Sequence, residues 1–429
     1  MTDKLALFGG KPVLPNPIEF KGHDFGTDDI NAVSEIIKSG EIGTGPEVNA
    51  FETEYANRYG IKYGVSVNSG TSALHTCVAA MNPDPGDEII TTAWTSGGSI
   101  IGLLFQNCVP IFADIDDSYC LDPSDVERKI TSRTKAILVV NLMGNMSNVR
   151  KLREIADRHN IFLIEDCCQS HFAEDNGIIA GSIADISGFS FGGKHLNLGG
   201  GGMVLTNNKT LWERAILFRD AALPRDDGPA EGKPYANQFL APNYKMNDIM
   251  AAMGRNQLKK VDGYVQSKIK SAKNIIDGLR TIKEITPQKV RDGVTHTYWS
   301  LSFTIDTAIL NCTATQYAKA VSAEGIPTSG PYLLTPEIGP LNKNPFLSKP
   351  DLYGKSKFPL DYNREIQVNY KETKLPYGNQ FGWISMVIVT EAWRNRGLAT
   401  LLLNSCIERL EARGLVPVLD ATPAGQNVY

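Results

Sequence analysis

Three short segments of this 429-residue sequence carry side chains that could do chemistry together. Lys194 stands alone in the glycine-lined loop 190–195, and a lysine removed from water has a depressed pKa and becomes nucleophilic. Asp166 follows the apolar run 161–164, where a strand end would point it at a ligand crevice. The third segment, 68–72, precedes a helical pattern over 73–81. Each also has an ordinary explanation: a solvated lysine, a solvated loop acid and a helix cap.

The 68–72 segment has the features of a phosphate site. Gly70 permits close approach of the backbone to a ligand, and the free N–H groups in the first turn of a helix can hold a phosphate. Thr71 and Ser72 would add hydroxyl donors. The competing explanation is a serine or threonine cap, which needs no ligand.

A phosphate cradle, a strand-end aspartate and a loop lysine are the parts that pyridoxal 5'-phosphate requires. Asp166 would keep the pyridine nitrogen protonated, so that the ring accepts electrons, while Lys194 would form the Schiff base and then move protons. Trp94, just after a predicted strand, is a candidate for stacking on the ring, and a core aromatic is the alternative. Lys194 and Asp166 are thus the predicted catalytic pair, and no metal site is expected.

These residues need a scaffold that brings strand ends together. Between about residues 47 and 220, short apolar runs alternate with amphipathic stretches, which is typical of a mostly parallel sheet covered by helices, an α/β fold. Strands are predicted over 88–92, 109–114, 135–141, 161–166, 186–191 and 202–206, and a helix over 149–159. The last two strands flank a glycine-rich stretch, which favours a hairpin-like insertion.

A second, smaller unit follows. The helical pattern over 247–279 predicts a long helix that joins two domains, and a strand over 299–305 with a helix over 314–324 predicts a small α+β domain. We therefore expect a cofactor-binding large domain over residues 1–255 and a small C-terminal domain over 256–380. Within the latter, the stretch 296–300 could contact substrate, and core packing is an equal alternative.

Residues 5–380 resemble the DegT/DnrJ/StrS family of fold-type I, pyridoxal-phosphate-dependent aminotransferases, which act on sugars and cyclitols. The segments that carry the resemblance include VSVNSGTSALHTCVAAM, LIEDCCQSHFA, GSIADISGFSFGGKHLNLGGGGMVLTN and NYKMNDIMAAMG. The resemblance implies the following roles: phosphate binding by Gly70, Thr71 and Ser190, ring stacking by Trp94, pairing with the pyridine nitrogen by Asp166, contact with the ring hydroxyl side by Gln169, and the Schiff base by Lys194. It also implies a homodimer with shared active sites, in which Asn243 reaches the phosphate of the neighbouring subunit.

Three positions qualify this resemblance. Many family members have glutamate where this chain has Gly200, so the role of that acid is open here. Family members that act as sugar dehydratases replace the lysine with histidine, so Lys194 favours transamination. His171 stands where the family commonly has a histidine near the cofactor, and a catalytic group and a satisfied core histidine are both compatible with the sequence.

The last 49 residues differ in composition, since residues 1–380 contain 26 lysines and residues 381–429 contain none. The segment 381–429 is predicted to form a β-α-β unit, with a strand over 382–389, a helix over 397–413 and a strand over 415–420. It resembles part of the acetyl-CoA-binding region of a GNAT-type acetyltransferase, with loop 394–399 as a candidate pyrophosphate cradle. The strand and helix expected to close the aminotransferase small domain are not recognised, so the small domain is expected to be incomplete.

Composition excludes several classes of protein. Forty-three Lys and Arg against 47 Asp and Glu give a net charge of −4, which argues against nucleic-acid binding. No run of ~18 apolar residues predicts a membrane span, and the first residues do not resemble a secretory signal. Seven cysteines without framework spacing favour reduced thiols in the cytoplasm. No G-x-G-x-x-G follows a predicted strand, which argues against a Rossmann dehydrogenase.

The sequence therefore predicts an aminotransferase that moves an amino group from glutamate or glutamine to a keto-sugar, expected to be nucleotide-linked, or to a keto-cyclitol, through Lys194. Two alternatives stay open. One is a fusion product whose tail binds acetyl-CoA, and the other is a catalytically impaired chimera.

Overall fold

The computed structural model describes residues 4–18, 23–224, 234–329, 340–348, 373–375 and 383–386. The helices are α1 (Thr27–Ser39), α2 (Pro46–Arg58), α3 (Gly70–Ala80), α4 (Gly98–Phe105), α5 (Pro123–Arg128), α6 (Val149–His159), α7 (Lys209–Arg219), α8 (Asp248–Leu279), α9 (Thr307–Leu310), α10 (Ala314–Ala323) and α11 (Pro345–Ser348). The strands are β1 (Tyr63–Val67), β2 (Glu88–Thr92), β3 (Val109–Ala113), β4 (Thr134–Val140), β5 (Phe162–Asp166), β6 (Glu174–Asp175), β7 (Ile178–Ile179), β8 (Ile186–Ser190), β9 (Gly202–Thr206), β10 (Ile285–Pro287), β11 (Val294–Thr295), β12 (Leu301–Ile305), β13 (Thr328–Ser329) and β14 (Trp383–Met386). Single 3₁₀ turns occupy Ala6–Phe8, Leu142–Gly144 and Leu341–Lys343.

The large domain is built on a seven-stranded sheet in the order β1-β9-β8-β5-β4-β2-β3. Its strands run parallel except β9, which is antiparallel to both β1 and β8. The mostly parallel α/β sheet is thus confirmed, and so is the predicted hairpin-like pair of β8 and β9. A small three-stranded sheet, β11-β6-β7, lies apart from it.

Helices cover both faces of this sheet because the strands are apolar on both sides. Residues of α2, α6 and α8 pack in one buried cluster, which includes Phe51, Leu152 and Leu258. Residues of α3, α4 and α7 pack in a second cluster on the opposite face, which includes Val78 and Leu103. The result is a three-layer arrangement in which the edges of the sheet stay accessible to ligands.

Helix α8 connects the two domains. The side chain of Asn247 caps its start by accepting a hydrogen bond from the Met250 N–H at 2.9 Å. The helix continues through Gly254, where a methyl group would lie 2.7 Å from the ring of Phe51, so this glycine lets α8 pack closely on α2. Its far end buries Ala272 and Leu279 in the core of the small domain. The expected boundary at residue 255 therefore falls inside a continuous helix.

The small domain contains a four-stranded sheet in the order β10-β12-β14-β13. Strand β14 pairs antiparallel with β12, where Leu301 lies opposite Met386, and with β13, where Thr328 lies opposite the same residue. The sequence predicted a strand here but placed it in a separate tail unit and left the small sheet without a closing strand. In the structure, β14 lies between β12 and β13, because both leave a ladder edge that an extended segment can satisfy. The predicted helix 397–413 and strand 415–420 lie outside the described residues, as does loop 394–399.

Two later segments return to the large domain. Leu341, Leu347 and Leu375 pack against Ile100 and Phe112 in a buried cluster. The Leu341 N–H also donates a hydrogen bond to the Ala93 carbonyl oxygen at 3.0 Å, next to Trp94. In the part of the chain that the structure describes, no helix is long and apolar enough to cross a membrane.

Candidate active site

The predicted site residues gather at one edge of the large sheet. Asp166 and Ser190 end the parallel strands β5 and β8, Trp94 follows β2, and α3 begins three residues after β1. The carboxyl ends of parallel strands meet at one edge, so these residues line the same crevice. Lys194 follows β8 and enters that crevice from the loop between β8 and β9.

The 68–72 segment forms the start of α3. Ser69 is its cap and accepts a hydrogen bond from the Ser72 N–H at 3.1 Å, while the Ser72 hydroxyl donates to Asn68 Oδ1 at 2.7 Å. Ser69 is therefore an ordinary helix cap, and Thr71 stays exposed in the first turn of α3. The cap and a phosphate cradle are compatible, because capping uses only one of the helix's free N–H groups.

Gly70 and Ser190 are in close contact across the crevice. A methyl group placed on Gly70 would lie 2.4 Å from Ser190 Cβ and 2.6 Å from Ser190 Oγ. No larger residue fits without displacing Ser190, so the first turn of α3 and the end of β8 together form a narrow polar cradle.

Asp166 is held rigidly at the end of β5. It is 3% exposed, and its two carboxylate oxygens accept hydrogen bonds from the Ser99 hydroxyl at 2.7 Å and from the Cys168 N–H at 3.0 Å. Ser99, in the first turn of α4, was not identified from the sequence. No local pattern marks it, because its partner lies 67 residues away.

Lys194 is half-buried, and this burial lowers its pKa below the ordinary value, while its electrostatic interactions with Cys168 and Asp166 act to raise it. Its Nζ lies 3.7 Å from the centroid of the Trp299 ring. Trp299 in turn donates a hydrogen bond from Nε1 to the Gly193 carbonyl oxygen at 2.9 Å. The stretch 296–300 therefore contacts the lysine loop as well as packing in the core.

Histidine side chains form hydrogen bonds with backbone carbonyl groups on both sides of Lys194. His171 Nε2 lies 2.9 Å from the Ser190 carbonyl oxygen, and His23 Nε2 lies 3.1 Å from that of His195. His195 Nε2 lies 2.9 Å from the Thr297 carbonyl oxygen. A carbonyl only accepts, so each ring nitrogen donates. Of the two explanations for His171, the satisfied core histidine fits its full burial.

The three remaining candidate site residues differ in their exposure and in their contacts. Trp94 is 6% exposed, and Gln169 Oε1 accepts a hydrogen bond from the Met143 N–H at 2.8 Å. Asn243 is exposed and forms an isolated β-bridge with Asp220.

At Gly200, the position that departs from the family, a methyl group would lie 3.7 Å from the Asn68 carbonyl oxygen. A side chain there would meet the 68–72 segment in ordinary contact, so the backbone itself does not demand glycine at this position.

Comparison with known proteins agrees with this geometry. The chain is 33% identical over 338 residues, 77% of this chain and 80% of the relative, to a putative L-glutamine:3-amino-2,3-dideoxy-scyllo-inosose aminotransferase of Micromonospora echinospora. It is 34% identical to the GDP-perosamine synthase of Escherichia coli O157:H7, over 64% of this chain and 74% of that protein. The crystal structure of DesV from S. venezuelae superposes with a TM-score of 0.74 at 25% identity, covering 91% of this chain and 95% of DesV.

Two family patterns match the chain. The acetyltransferase (GNAT) family matches residues 365–429, which confirms the resemblance of the C-terminal segment. The DegT/DnrJ/EryC1/StrS aminotransferase family, whose members depend on pyridoxal phosphate, matches residues 23–352. The fold is that of the fold-type I aminotransferases, and the chain belongs to the DegT/DnrJ/EryC1/StrS aminotransferase family.

Proposed function

We propose that this aminotransferase binds pyridoxal 5'-phosphate and transfers an amino group from glutamate or glutamine to a nucleotide-linked keto-sugar or to a keto-cyclitol. The main support for the proposal is the position of Lys194. This lysine is half-buried at the ligand edge of the sheet, where the charge of Asp166 acts on its ammonium group. The named donor of one relative is L-glutamine, and the relatives act on a cyclitol and on a GDP-linked sugar. These names support the substrate classes.

The residues present fit the cofactor. The Gly70–Ser190 contact leaves room for no side chain at the start of α3, as a phosphate cradle requires, and Thr71 and Ser72 add hydroxyls. Asp166 has the right charge for a protonated pyridine nitrogen. We assign ring stacking to Trp94 and contact with the ring hydroxyl to Gln169. When bound, the cofactor supplies an electron-accepting ring.

The chain's own residues then have separate tasks. Ser99 and the Cys168 N–H orient the Asp166 carboxylate, so that its charge stays fixed where a ring nitrogen would be protonated. Lys194 accepts and returns a proton, which its lowered pKa makes easier near neutral pH. Trp299 covers the ammonium group and limits its contact with water.

We further propose a homodimer in which Asn243 contacts the phosphate held by the other copy. The exposure of Asn243 and its fixed backbone bridge to Asp220 support this role. We also propose that the enzyme works in the cytoplasm. The six cysteines in the described part of the chain are free, and the adjacent pair Cys167 and Cys168 suits a reducing compartment.

Lys268 on α8 provides a matched control for the lysine assignment. Burial lowers its pKa to about 8, so among the described residues it is a second lysine that could react. Purified protein mixed with pyridoxal 5'-phosphate is expected to develop a visible absorption band that Lys194→Ala abolishes and Lys268→Ala retains. Addition of L-glutamine should then bleach the band. Folded wild-type protein without the band, or loss of the band in Lys268→Ala alone, would contradict the proposal.

A second candidate function is acetyl-CoA binding by the C-terminal segment. The family match over residues 365–429 favours it, while the use of Trp383–Met386 in the small sheet counts against an independent acetyltransferase core. Titration calorimetry with acetyl-CoA tests it: saturable binding that is lost in Arg394→Ala would support this activity, and absence of heat would exclude it.

A further inference from the structure

A chain of hydrogen bonds runs through the core and ends on Ser190. The Ser190 carbonyl oxygen accepts, so His171 Nε2 carries the proton and donates across 2.9 Å. His171 Nδ1 must then accept from the Tyr55 hydroxyl at 3.0 Å. The Tyr55 hydroxyl oxygen also lies 3.3 Å from that of Tyr59, and the Tyr59 oxygen accepts a hydrogen bond from the Phe172 N–H, also at 3.3 Å. The hydrogen bonds from Tyr55 to His171 and from His171 to Ser190 therefore both run toward Ser190.

The direction of these hydrogen bonds does not change near neutral pH. Burial lowers the pKa of His171 to about 3 and raises the pKa of both Tyr55 and Tyr59 well above the ordinary value. All three rings are therefore uncharged. The rings of Phe189 and Phe191 pack around Tyr55, so water has no access to compete for these bonds.

The chain ends at the residue that shapes the phosphate cradle. Ser190 is the last residue of β8, and its side chain lies against Gly70 at the start of α3. A hydrogen bond to its carbonyl oxygen fixes the rotation of the peptide that follows it. The direction of the Ser190 side chain relative to Gly70 is thereby fixed as well.

We propose that Tyr59, Tyr55 and His171 are positioning residues that hold Ser190 in the orientation that binds the phosphate group of the cofactor. The inference rests on the proposed function and adds to it a control of phosphate affinity from within the buried core that contains Tyr55 and Tyr59. None of the three touches the cofactor in this assignment. They act only through the backbone of Ser190.

The test separates phosphate binding from general damage. Dissociation constants are measured for pyridoxal 5'-phosphate and for pyridoxal, which lacks the phosphate, with wild-type protein and with Tyr55→Phe. Tyr55→Phe leaves His171 Nδ1 without a donor, so we expect the preference for the phosphorylated form to fall by about tenfold while pyridoxal binding stays within about twofold. The same preference should fall less in Tyr59→Phe, one step further from Ser190.

Two more variants sharpen the result. His171→Gln can donate to Ser190 and accept from Tyr55 with one amide, so it should keep most of the preference that His171→Leu loses. Tyr119→Phe removes a hydroxyl from a Tyr that is 3% exposed in the other core cluster and should leave the preference unchanged.

An unchanged preference in Tyr55→Phe and Tyr59→Phe, or an equal loss for both ligands, would overturn the inference while leaving the proposed function intact. Wild-type protein that binds neither ligand would overturn both.

Discussion

The ammonium nitrogen of Lys194 lies 3.7 Å from the centre of the Trp299 ring, and no carboxylate takes that place in the described structure. The same indole is fixed by its own hydrogen bond to the Gly193 carbonyl oxygen. The lysine therefore meets the flat face of a ring that cannot turn away. An aromatic face favours the ammonium form without supplying a full counter-charge.

Replacing the Trp299 ring should lower the pKa of Lys194. Trp299→Leu keeps an apolar cover but removes an attraction of about 0.5–2 kcal/mol, so the pKa of Lys194 should fall by roughly half a unit to one and a half units. The neutral amine reacts, so the pH midpoint for the rate of cofactor uptake moves to lower pH. Trp299→Phe retains a ring and should shift less. A midpoint that stays or rises in Trp299→Leu contradicts this role.

Gly70→Ala should weaken cofactor binding more than it weakens the fold. Its methyl group would lie 2.4 Å from Ser190 Cβ, and relieving such an overlap costs about 1–3 kcal/mol. The dissociation constant of pyridoxal 5'-phosphate, measured by fluorescence titration, should rise at least about tenfold. Gly263→Ala is the matched control. Nothing lies within 4 Å of its added methyl group, so it should stabilise α8 by roughly 0.5–1 kcal/mol and leave binding unchanged.

Ser99→Ala should slow the reaction by disordering Asp166. The lost hydrogen bond reaches a buried carboxylate, and bonds to charged groups contribute about 1.5–3 kcal/mol, which is roughly tenfold or more in kcat. KM for the amino donor should change little. Ser302→Ala serves as the control, because the Ser302 hydroxyl is buried and has no hydrogen-bond partner among the described residues. Equal kcat in Ser99→Ala and wild type would rule out the orienting role.

Acid should destabilise the fold steeply. Burial lowers the pKa of His171 and His296 to about 3, that of His75 to about 4 and that of His195 well below its ordinary value, while these groups titrate near 6.5 when unfolded. The unfolded chain therefore binds more protons below pH 6.5, and the free energy of unfolding should fall by about 5.4 kcal/mol per pH unit down to about pH 4. Burial raises the pKa of Glu165 to about 7, which offsets about 1.4 kcal/mol per unit between pH 6.5 and 4.5.

Urea unfolding at pH 7, 6 and 5 measures this slope. In His75→Gln one of the four imidazoles is gone, so the slope should decrease by about 1.4 kcal/mol per pH unit. A slope in the variant equal to that of wild type would show that His75 does not contribute to it.

Removing β14 should lower the stability of the small sheet, and two shortened chains test this. A chain that ends after Gly382 lacks Trp383–Met386, which leaves β13 without a strand partner and β12 paired with β10 alone, so its melting temperature should fall by several degrees. A chain that ends after Val389 retains the strand and should melt like the full chain. Equal melting of the two shortened chains would mean that the strand adds nothing to the small sheet.

The sequence predicted those parts of the site that local patterns encode. Asp166 was predicted at the end of an apolar strand and Ser190 near the end of another, and both lie there in the structure, where parallel strand ends share an edge. Ser99 and Trp299 were not assigned their contacts, since their partners lie 67 and 106 residues away. The extended form of β14 was predicted, but its sheet was not. Local sequence specifies an extended segment, while its neighbours are chosen by which ladder edges remain open.

The order of strands in the small sheet has a consequence for synthesis on the ribosome. Strands β12 and β13 are both made before β14, yet β14 lies between them. At ~5–20 residues per second, the residues from Ile305 to Trp383 take roughly 4–15 seconds to be added. The seven-stranded sheet of the large domain has all of its strands by Thr206, so that domain can fold during the interval. The nascent enzyme therefore passes through a period in which its large domain is folded while β12 has an open edge and β13 has no strand partner, so both can bind chaperones or pair with another chain.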